Sequence, residues 1–156
     1  MITIRKATLK DLEKLTLLFV DIAKYHKKLD PKQFDLVNNL KSIYSPFVKK
    51  SIYSKNILIL VAEINEKIIG MIRAEISGRA PVFKDRKIGN ISDAYVSPVH
   101  RKKGILGLME KEVVKWLKAR KIKKVKATVY FANKDARKIW NKKGFKDQHA
   151  NMVKFI

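Results

Sequence analysis

The chain has 156 residues, of which 46% are hydrophobic, and its 36 Lys and Arg outweigh 14 Asp and Glu to give a formal net charge of +22. This length and apolar content predict one compact domain over residues 1–156. The chain has no cysteine, which excludes a disulfide framework, a thiolate metal site and a cysteine nucleophile. No apolar run reaches the roughly 18 residues that cross a bilayer, and Arg5, Lys6 and Lys10 interrupt the N-terminal apolar positions. We therefore expect a cytoplasmic protein with no membrane partner.

The positive charge has two interpretations. A potential of this size attracts polyanions, so nucleic acid and ribosomes are candidate partners for a weak association. The basic residues are, however, spread over every segment, and no basic block with interleaved aromatics stands out. That distribution is typical of an ordinary solvated surface, and the two interpretations stay open.

The first third of the chain predicts a strand followed by two helices. Residues 1–7 alternate in polarity as a strand does, and Thr8 with Asp11 is typical of a helix start. Apolar residues then recur at helical spacing until Pro31 interrupts the pattern, and a second helix is expected over 33–52.

The middle third predicts an antiparallel hairpin and one further strand. A continuous apolar run over 57–62 and a second apolar segment over 68–76 form the hairpin. The polar stretch 78–87 is expected to be a loop. A strand over 88–96 follows it and ends before Pro98.

The last third predicts two helices and two strands. Apolar residues at steps of three and four mark a long helix over 104–120 with lysines on its opposite face. Alternation predicts a strand over 125–131, and a short helix is expected over 133–140, closed by Gly144. Residues 145–156 are expected to form a final strand.

The segment from residue 93 to residue 107 joins the end of a strand, a basic turn and the start of the long helix. A helix N-terminus has unpaired N–H groups and a partial positive charge, so this arrangement suits a pyrophosphate. Gly104 and Gly107 permit close approach of the backbone, and three basic residues add charge: Arg101, Lys102 and Lys103. A basic turn before a helix is as often purely structural.

Other phosphate and metal chemistries are disfavoured. The sequence has neither a GxxxxGK(S/T) run nor a GxGxxG run with an acidic residue about 20 positions later, which argues against a P-loop kinase or a dehydrogenase. His26, His100 and His149 are isolated, so no metal site is predicted.

Two motifs together resemble a known family. Arg101-Lys102-Lys103-Gly104-Ile105-Leu106 matches the pattern Arg/Gln-x-x-Gly-x-Gly/Ala except at Leu106, which Gly107 follows. Downstream, Asn133-x-x-Ala136-x-x-x-Trp140-x-x-x-Gly144-Phe145 is similar to N-x-x-A-x-x-x-Y-x-x-x-G-F. Both patterns, in this order, belong to the GNAT superfamily of N-acetyltransferases, and the resemblance runs from Ile2 onward.

The resemblance implies a single GNAT-like domain of the α/β (α+β) class. Its mixed central sheet is expected to have about six to seven strands with a splay, flanked by about four helices. An apolar edge strand near the C-terminus suggests a homodimer.

The resemblance also implies acetyl-CoA as cosubstrate and assigns residues to it. The backbone of Ala94, Tyr95 and Val96 is expected to pair with the pantetheine arm, and Asn133 to contact the cofactor or order the substrate side. The residues implied to hold the pyrophosphate are Arg101, Lys102, Lys103, Gly104, Ile105, Leu106 and Gly107.

The implied reaction moves an acetyl group to a primary amine of a small molecule, a protein N-terminus or a lysine. Trp140 stands where many family members have a tyrosine proton donor, and Thr128 where the ribosomal-protein alanine acetyltransferases have a glutamate base. Asp93 is therefore the candidate base, with Glu75 second and Tyr130 as candidate donor. An equally weighted alternative is that Asp93 caps or ties the loop. The alternative function is a catalytically weak CoA-binding or RNA/ribosome-associated module.

Overall fold

The computed structural model describes residues 1–156 and contains one five-stranded sheet and four α-helices. The strands are β1 (Thr3–Lys6), β2 (Ile57–Ile64), β3 (Lys67–Gly78), β4 (Lys87–Val96) and β5 (Val125–Ala127). The helices are α1 (Leu12–Leu29), α2 (Leu40–Tyr53), α3 (Ile105–Ala119) and α4 (Lys134–Lys142). None of the helices has the length and apolar character that crossing a bilayer requires.

The sheet is mixed, with strand order β1-β2-β3-β4-β5. Strands β1 to β4 pair antiparallel with their neighbours, and β5 pairs parallel with β4. Asn65 and Glu66 connect β2 to β3 with φ of 46° and 61°, the left-handed conformations that a tight hairpin needs. The predicted hairpin and the mixed α/β class are confirmed.

Helices cover both faces of the sheet. On one face, Ile105, Met109, Val113 and Leu117 of α3 pack on sheet residues that include Ile72 and Ile91. On the other face, α1 and α2 cover the sheet with these buried residues: Leu15, Leu18, Phe19 and Val48. Burial of both faces explains why β2 and β3 are continuous apolar runs rather than alternating ones.

The sheet has five strands rather than the expected six to seven. The expected strand over 145–156 does not form: residues 146–156 are exposed, and Phe145 turns inward to pack on Trp140 with ring centroids 5.0 Å apart. A strand gains little stability when its apolar side chains bury no surface. The expected strand over 125–131 is also shorter, since pairing ends at Ala127.

The second helix begins later than predicted, at Leu40 rather than at residue 33, and it continues through Pro46. The preceding segment forms a single turn, in which the Phe34 N–H donates to the Asp30 carbonyl at 3.1 Å, and a side chain also holds it. Phe34 stacks on His26 of α1, with ring centroids 5.1 Å apart. This packing holds the connection between α1 and α2 against α1.

Candidate active site

An extra residue in β4 opens the sheet. Strand β3 pairs Arg73 with Asp93 and then Ala74 with Ile91, so Ser92 has no partner residue. A bulge of this kind bends a strand and increases its twist. On its other side β4 pairs with β5 only from Gly89 to Ile91, so the sheet splays beyond the bulge.

The open edge of β4 presents a small set of backbone groups. The Ser97 N–H donates to the Ile69 carbonyl at 2.8 Å, and strand alternation then directs the Tyr95 backbone to β3 and the Ala94 and Val96 backbones to the gap. The Val96 carbonyl already accepts a hydrogen bond from Arg101 Nε at 2.9 Å. The Ala94 N–H and C=O and the Val96 N–H therefore face the splay.

The N-terminus of α3 lies directly after this edge. Its N-cap is Gly104, with φ of 76°, no side-chain cap and no acidic residue in the first turn. The first intrahelical bond runs from the Leu108 N–H to the Gly104 carbonyl, so earlier N–H groups are free. Lys102 also has a left-handed φ of 61°. The turn thus presents unpaired N–H groups among exposed lysines, a geometry that fits an anion.

The departure at Leu106 has a packing explanation. The Leu106 side chain is half-buried and packs against the core beneath α3. At Gly107 a Cβ atom would lie 3.2 Å from Lys143 Nζ, and that ammonium bonds to Glu110 at 3.3 Å. Glycine at 107 therefore makes room for an ion pair between α3 and the end of α4.

A polar network occupies the sheet beside the bulge. Arg73 is 5% exposed, and its Nη1 donates to Ser92 Oγ at 2.6 Å while its Nη2 donates to Glu75 Oε2 at 2.8 Å. Ser92 Oγ in turn donates to Asp93 Oδ2 at 2.8 Å. Arg73 Nη1 lies 4.0 Å from the same Asp93 oxygen. Two carboxylates thus share one guanidinium.

The two carboxylates have different environments. Burial raises the pKa of the Asp93 carboxyl, and the hydrogen bond from Ser92 and the charge of Arg73 oppose that rise. Glu75 has both oxygens engaged, since Asn90 Nδ2 donates to Oε1 at 3.3 Å and Arg73 to Oε2. Asp93 is therefore the better placed of the two to accept a proton.

A family model described as the acetyltransferase (GNAT) family matches residues 25–145, a span that contains the splayed strand, the α3 N-terminus and α4. The chain belongs to the GNAT family of acetyltransferases. No curated protein matches the sequence.

Solved structures share this GNAT fold. A tetramutant of the BH1408 protein from Bacillus halodurans is 22% identical with a TM-score of 0.87, and the alignment covers 99% of each chain. A predicted acetyltransferase from Clostridium acetobutylicum, solved with acetyl-CoA, is 22% identical with a TM-score of 0.78 over 99% of this chain and 96% of that one. An aminoglycoside N-acetyltransferase in complex with CoA is 15% identical with a TM-score of 0.78, and the alignment covers 100% of this chain and 95% of that one.

Residues of the second GNAT motif make structural contacts in this chain. Asn133 caps α4, because its Oδ1 accepts from the Ala136 N–H at 3.1 Å. Trp140 is 6% exposed and packs in the core against Phe145, so its indole does not reach the splay as a tyrosine donor would need to. Thr128 Oγ1 donates to Asn90 Oδ1 at 3.3 Å, which links it to Glu75 through Asn90.

Rings from four parts of the GNAT domain form two groups near Asp93: they come from α1, the α1–α2 connection, α2 and the segment after β5. His26 of α1, Phe34 and Tyr130 form one group, with centroids 4.5 to 5.1 Å apart. Phe19, Tyr44 and Phe47 form another, with centroids 5.6 to 6.3 Å apart. We call these six residues the aromatic wall.

Asp93 influences both groups of the wall. Burial lowers the pKa of His26, and the Asp93 charge opposes that change. Burial raises the pKa of Tyr44, and the charge of Asp93 adds to the rise. Both rings are therefore uncharged near neutral pH and lie within electrostatic range of the carboxylate.

Of the aromatic wall, only Tyr130 was among the candidate site residues predicted from sequence, and Arg73 and Ser92 were not. Arg73 could have been suspected, since it is a charged residue inside the apolar run of β3. No sequence signal marked the other rings of the wall, because they come from separate segments and meet only through the fold.

Proposed function

We propose that this chain is an acetyl-CoA-dependent N-acetyltransferase that acetylates a primary amine. One observation carries the proposal: the open edge of β4, the uncapped α3 N-terminus and the Asp93 carboxylate occur within one continuous segment. Family membership and the acetyl-CoA and CoA bound to similar folds support it.

The residues of the turn fit the anionic part of acetyl-CoA. The free N–H groups of Ile105, Leu106 and Gly107 and the charges of Lys102 and Lys103 are proposed to hold the pyrophosphate. Arg101 is proposed to act by bracing the turn, since its Nε is bonded to the Val96 carbonyl.

The open strand edge fits the amide-containing arm. The Ala94 N–H and C=O are proposed to pair with it as a neighbouring strand would. The Val96 N–H has no neighbour on the open side and extends this row toward the turn. The Tyr95 backbone faces β3 and pairs with Met71. Tyr95 is therefore proposed to keep Ala94 and Val96 in place without bonding to the arm itself.

Acetyl-CoA supplies the acetyl thioester. Asp93 is proposed to accept a proton from the incoming ammonium, which leaves a neutral amine. The amine nitrogen bonds to the acetyl carbon as the C–S bond breaks. The nitrogen then loses a second proton, which replaces the one that Tyr130 gives to the leaving thiolate. The products are an amide and a thiol, and the first proton passes through Asp93 to solvent. A buried carboxylate has a raised proton affinity and so is a stronger base than an exposed one.

Tyr130 is the proposed proton donor to the leaving thiolate, because Trp140 is in the core and Tyr130 keeps 41% of its surface exposed. We expect Tyr130→Phe to lower kcat about tenfold or more, within the range that acid catalysis contributes. Unchanged kcat in steady-state assays would remove Tyr130 from this role.

The test combines binding and turnover. Acetyl-CoA at about 100 times its Kd should stabilise the protein by roughly 2.7 kcal/mol in a thermal-shift assay. Thiol release over a panel of amines should then fall at least a hundredfold in Asp93→Asn, whereas Asp21→Asn, an exposed position on α1, should match the native chain. No thermal shift would overturn the proposal.

The burial of Trp140 favours one second candidate, a CoA-binding domain with weak catalysis. It predicts the same thermal shift with thiol release no faster than spontaneous hydrolysis. The two functions are therefore separated by turnover and not by binding.

A further inference from the structure

Phe19 anchors the aromatic wall in the core, where it is 2% exposed, whereas the other five rings keep accessible surface. Phe47 is 40% exposed and Tyr130 is 41% exposed, and Phe34 and Tyr44 are half-buried. Clustered rings that keep solvent-accessible surface beside a polar site are typical of a surface that binds an apolar ligand.

The wall adjoins the carboxylates that the acceptor must reach. The Phe47 ring centroid is 5.0 Å from the Arg73 guanidinium carbon, and Arg73 contacts both Asp93 and Glu75. In the other group, Tyr130 and Phe34 are in T-shaped contact at 4.5 Å, and Tyr130 lies 5.1 Å from His26, whose pKa the Asp93 charge influences. Both groups of rings are therefore close enough to the network to contact an amine that meets Asp93.

The charges beside the wall sum to one negative unit. When both carboxyls are ionised, as Asp93 must be to act as a base, Asp93 and Glu75 each contribute one negative charge and Arg73 contributes one positive charge. His26 and Tyr44 are the groups of the wall whose pKa the Asp93 charge influences, and the shifts of both favour the neutral form. This balance matches a single ammonium, and it is too small to neutralise a polycation that the net charge of +22 repels.

Resting on the proposed function, we infer that the acceptor is a monoamine with a flat aromatic body, an arylalkylamine. Its ammonium lies at Asp93 and its ring lies against Phe34, Phe47 and Tyr130. Short aliphatic amines lack the ring that the wall binds, and aminoglycosides carry charges that the network does not match.

The first arm of the test compares acceptors in the native enzyme. We expect kcat/KM for 2-phenylethylamine to exceed that for propylamine by more than tenfold and that for kanamycin or spermidine by more than a hundredfold. Equal or faster acetylation of kanamycin, spermidine or propylamine would overturn the inference and leave the N-acetyltransferase proposal intact.

The second arm removes one ring of the wall. Phe34→Ala should raise KM for 2-phenylethylamine about tenfold and change KM for propylamine less than twofold, and Phe34→Trp should restore the native KM. Phe83→Ala, which removes a ring packed on Arg79 in a distant loop, should leave both values unchanged. Equal losses for both amines in Phe34→Ala would contradict the inference.

The third arm separates failure of the arylalkylamine inference from failure of the N-acetyltransferase proposal. If no amine is acetylated, saturation-transfer NMR with CoA present still reports acceptor binding. Contact of the 2-phenylethylamine ring, lost in Phe34→Ala, would support the acceptor class although catalysis had failed. An absent ring signal would overturn it.

Discussion

Opposing interactions act on the pKa of Asp93. Burial favours the protonated carboxyl, while the Ser92 hydroxyl and the Arg73 guanidinium favour the carboxylate. A base must be ionised to act, so activity should rise with pH through the pKa of Asp93. Because burial raises that pKa, the acidic limb should lie above the pH where an exposed aspartate titrates.

Ser92→Ala tests this balance at one residue. The substitution removes the hydrogen bond that Ser92 Oγ donates to Asp93 Oδ2 at 2.8 Å, so the pKa of Asp93 should rise further. We expect the acidic limb of kcat/KM to move to higher pH with its plateau lowered less than about threefold. Ser77→Ala, on β3 and outside the network, is the matched control. An unmoved limb would exclude Asp93 as the titrating base.

Gly104 shapes the turn that precedes α3, because its left-handed backbone is the N-cap of that helix. A Cβ atom at this position would meet no atom within 4 Å, so Gly104→Ala introduces no clash. It does place alanine at φ of 76°, a conformation that costs about 1–2 kcal/mol for a residue with a Cβ.

We therefore expect Gly104→Ala to lower the free energy of unfolding by about 1 kcal/mol and to raise KM for acetyl-CoA, because the α3 N–H groups shift. Gly78→Ala is the matched control, since its Cβ also has open space but its φ is ordinary; urea unfolding should show a change below about 0.5 kcal/mol. Equal effects in both variants would show that the left-handed turn carries no special cost.

At the scale of elements, one cluster of ion pairs joins β1, β2 and the start of α1. Arg5 of β1 bonds to Asp11, just before α1, at 2.8 and 2.9 Å and to Glu63 of β2 at 2.6 Å. The Thr8 N–H also donates to Asp11 at 2.8 Å. These bonds lower the pKa of Asp11 from 3.8 to about 2.

A lowered carboxyl pKa stabilises the fold above the unfolded value and loses that effect as pH falls. Asp11→Asn should therefore cost roughly 2 kcal/mol of unfolding free energy at pH 7. The native chain and the variant should converge as pH falls from about 4 to about 2. Chemical unfolding at several pH values measures this, with Asp21→Asn as control. A constant difference down to about pH 2 would contradict the linkage.

The spacing of apolar residues predicted the strands and the helix whose apolar side chains are buried together in the core. Strands β2 to β4 and helix α3 lie within two residues of their expected bounds, since their apolar pattern records the packing that holds them. The expected strand over 145–156 does not form, because residues 146–156 are exposed and pair with no other strand. The pairing of Arg73 with Asp93 depends on the bulge at Ser92, and sequence alternation does not mark a single extra residue.

At the scale of the whole molecule, the net charge of +22 acts on the two proposed substrates with opposite sign. Acetyl-CoA is a polyanion and is attracted, whereas an ammonium acceptor is repelled until it reaches Asp93. Salt screens both effects over a Debye length of about 10 Å at 0.1 M ionic strength. This electrostatic potential comes from many lysines dispersed over the surface rather than from one site.

Raising KCl from about 20 to about 300 mM should therefore lower kcat/KM for acetyl-CoA several-fold, while kcat/KM for a monoamine acceptor stays level or rises. Stopped-flow or steady-state kinetics with one substrate saturating separates the two trends. Because the field is collective, Lys67→Gln in the exposed part of β3 should reduce the salt dependence only slightly. A parallel fall for both substrates would indicate a salt effect on the fold instead, and unfolding curves at the same two salt concentrations would detect it.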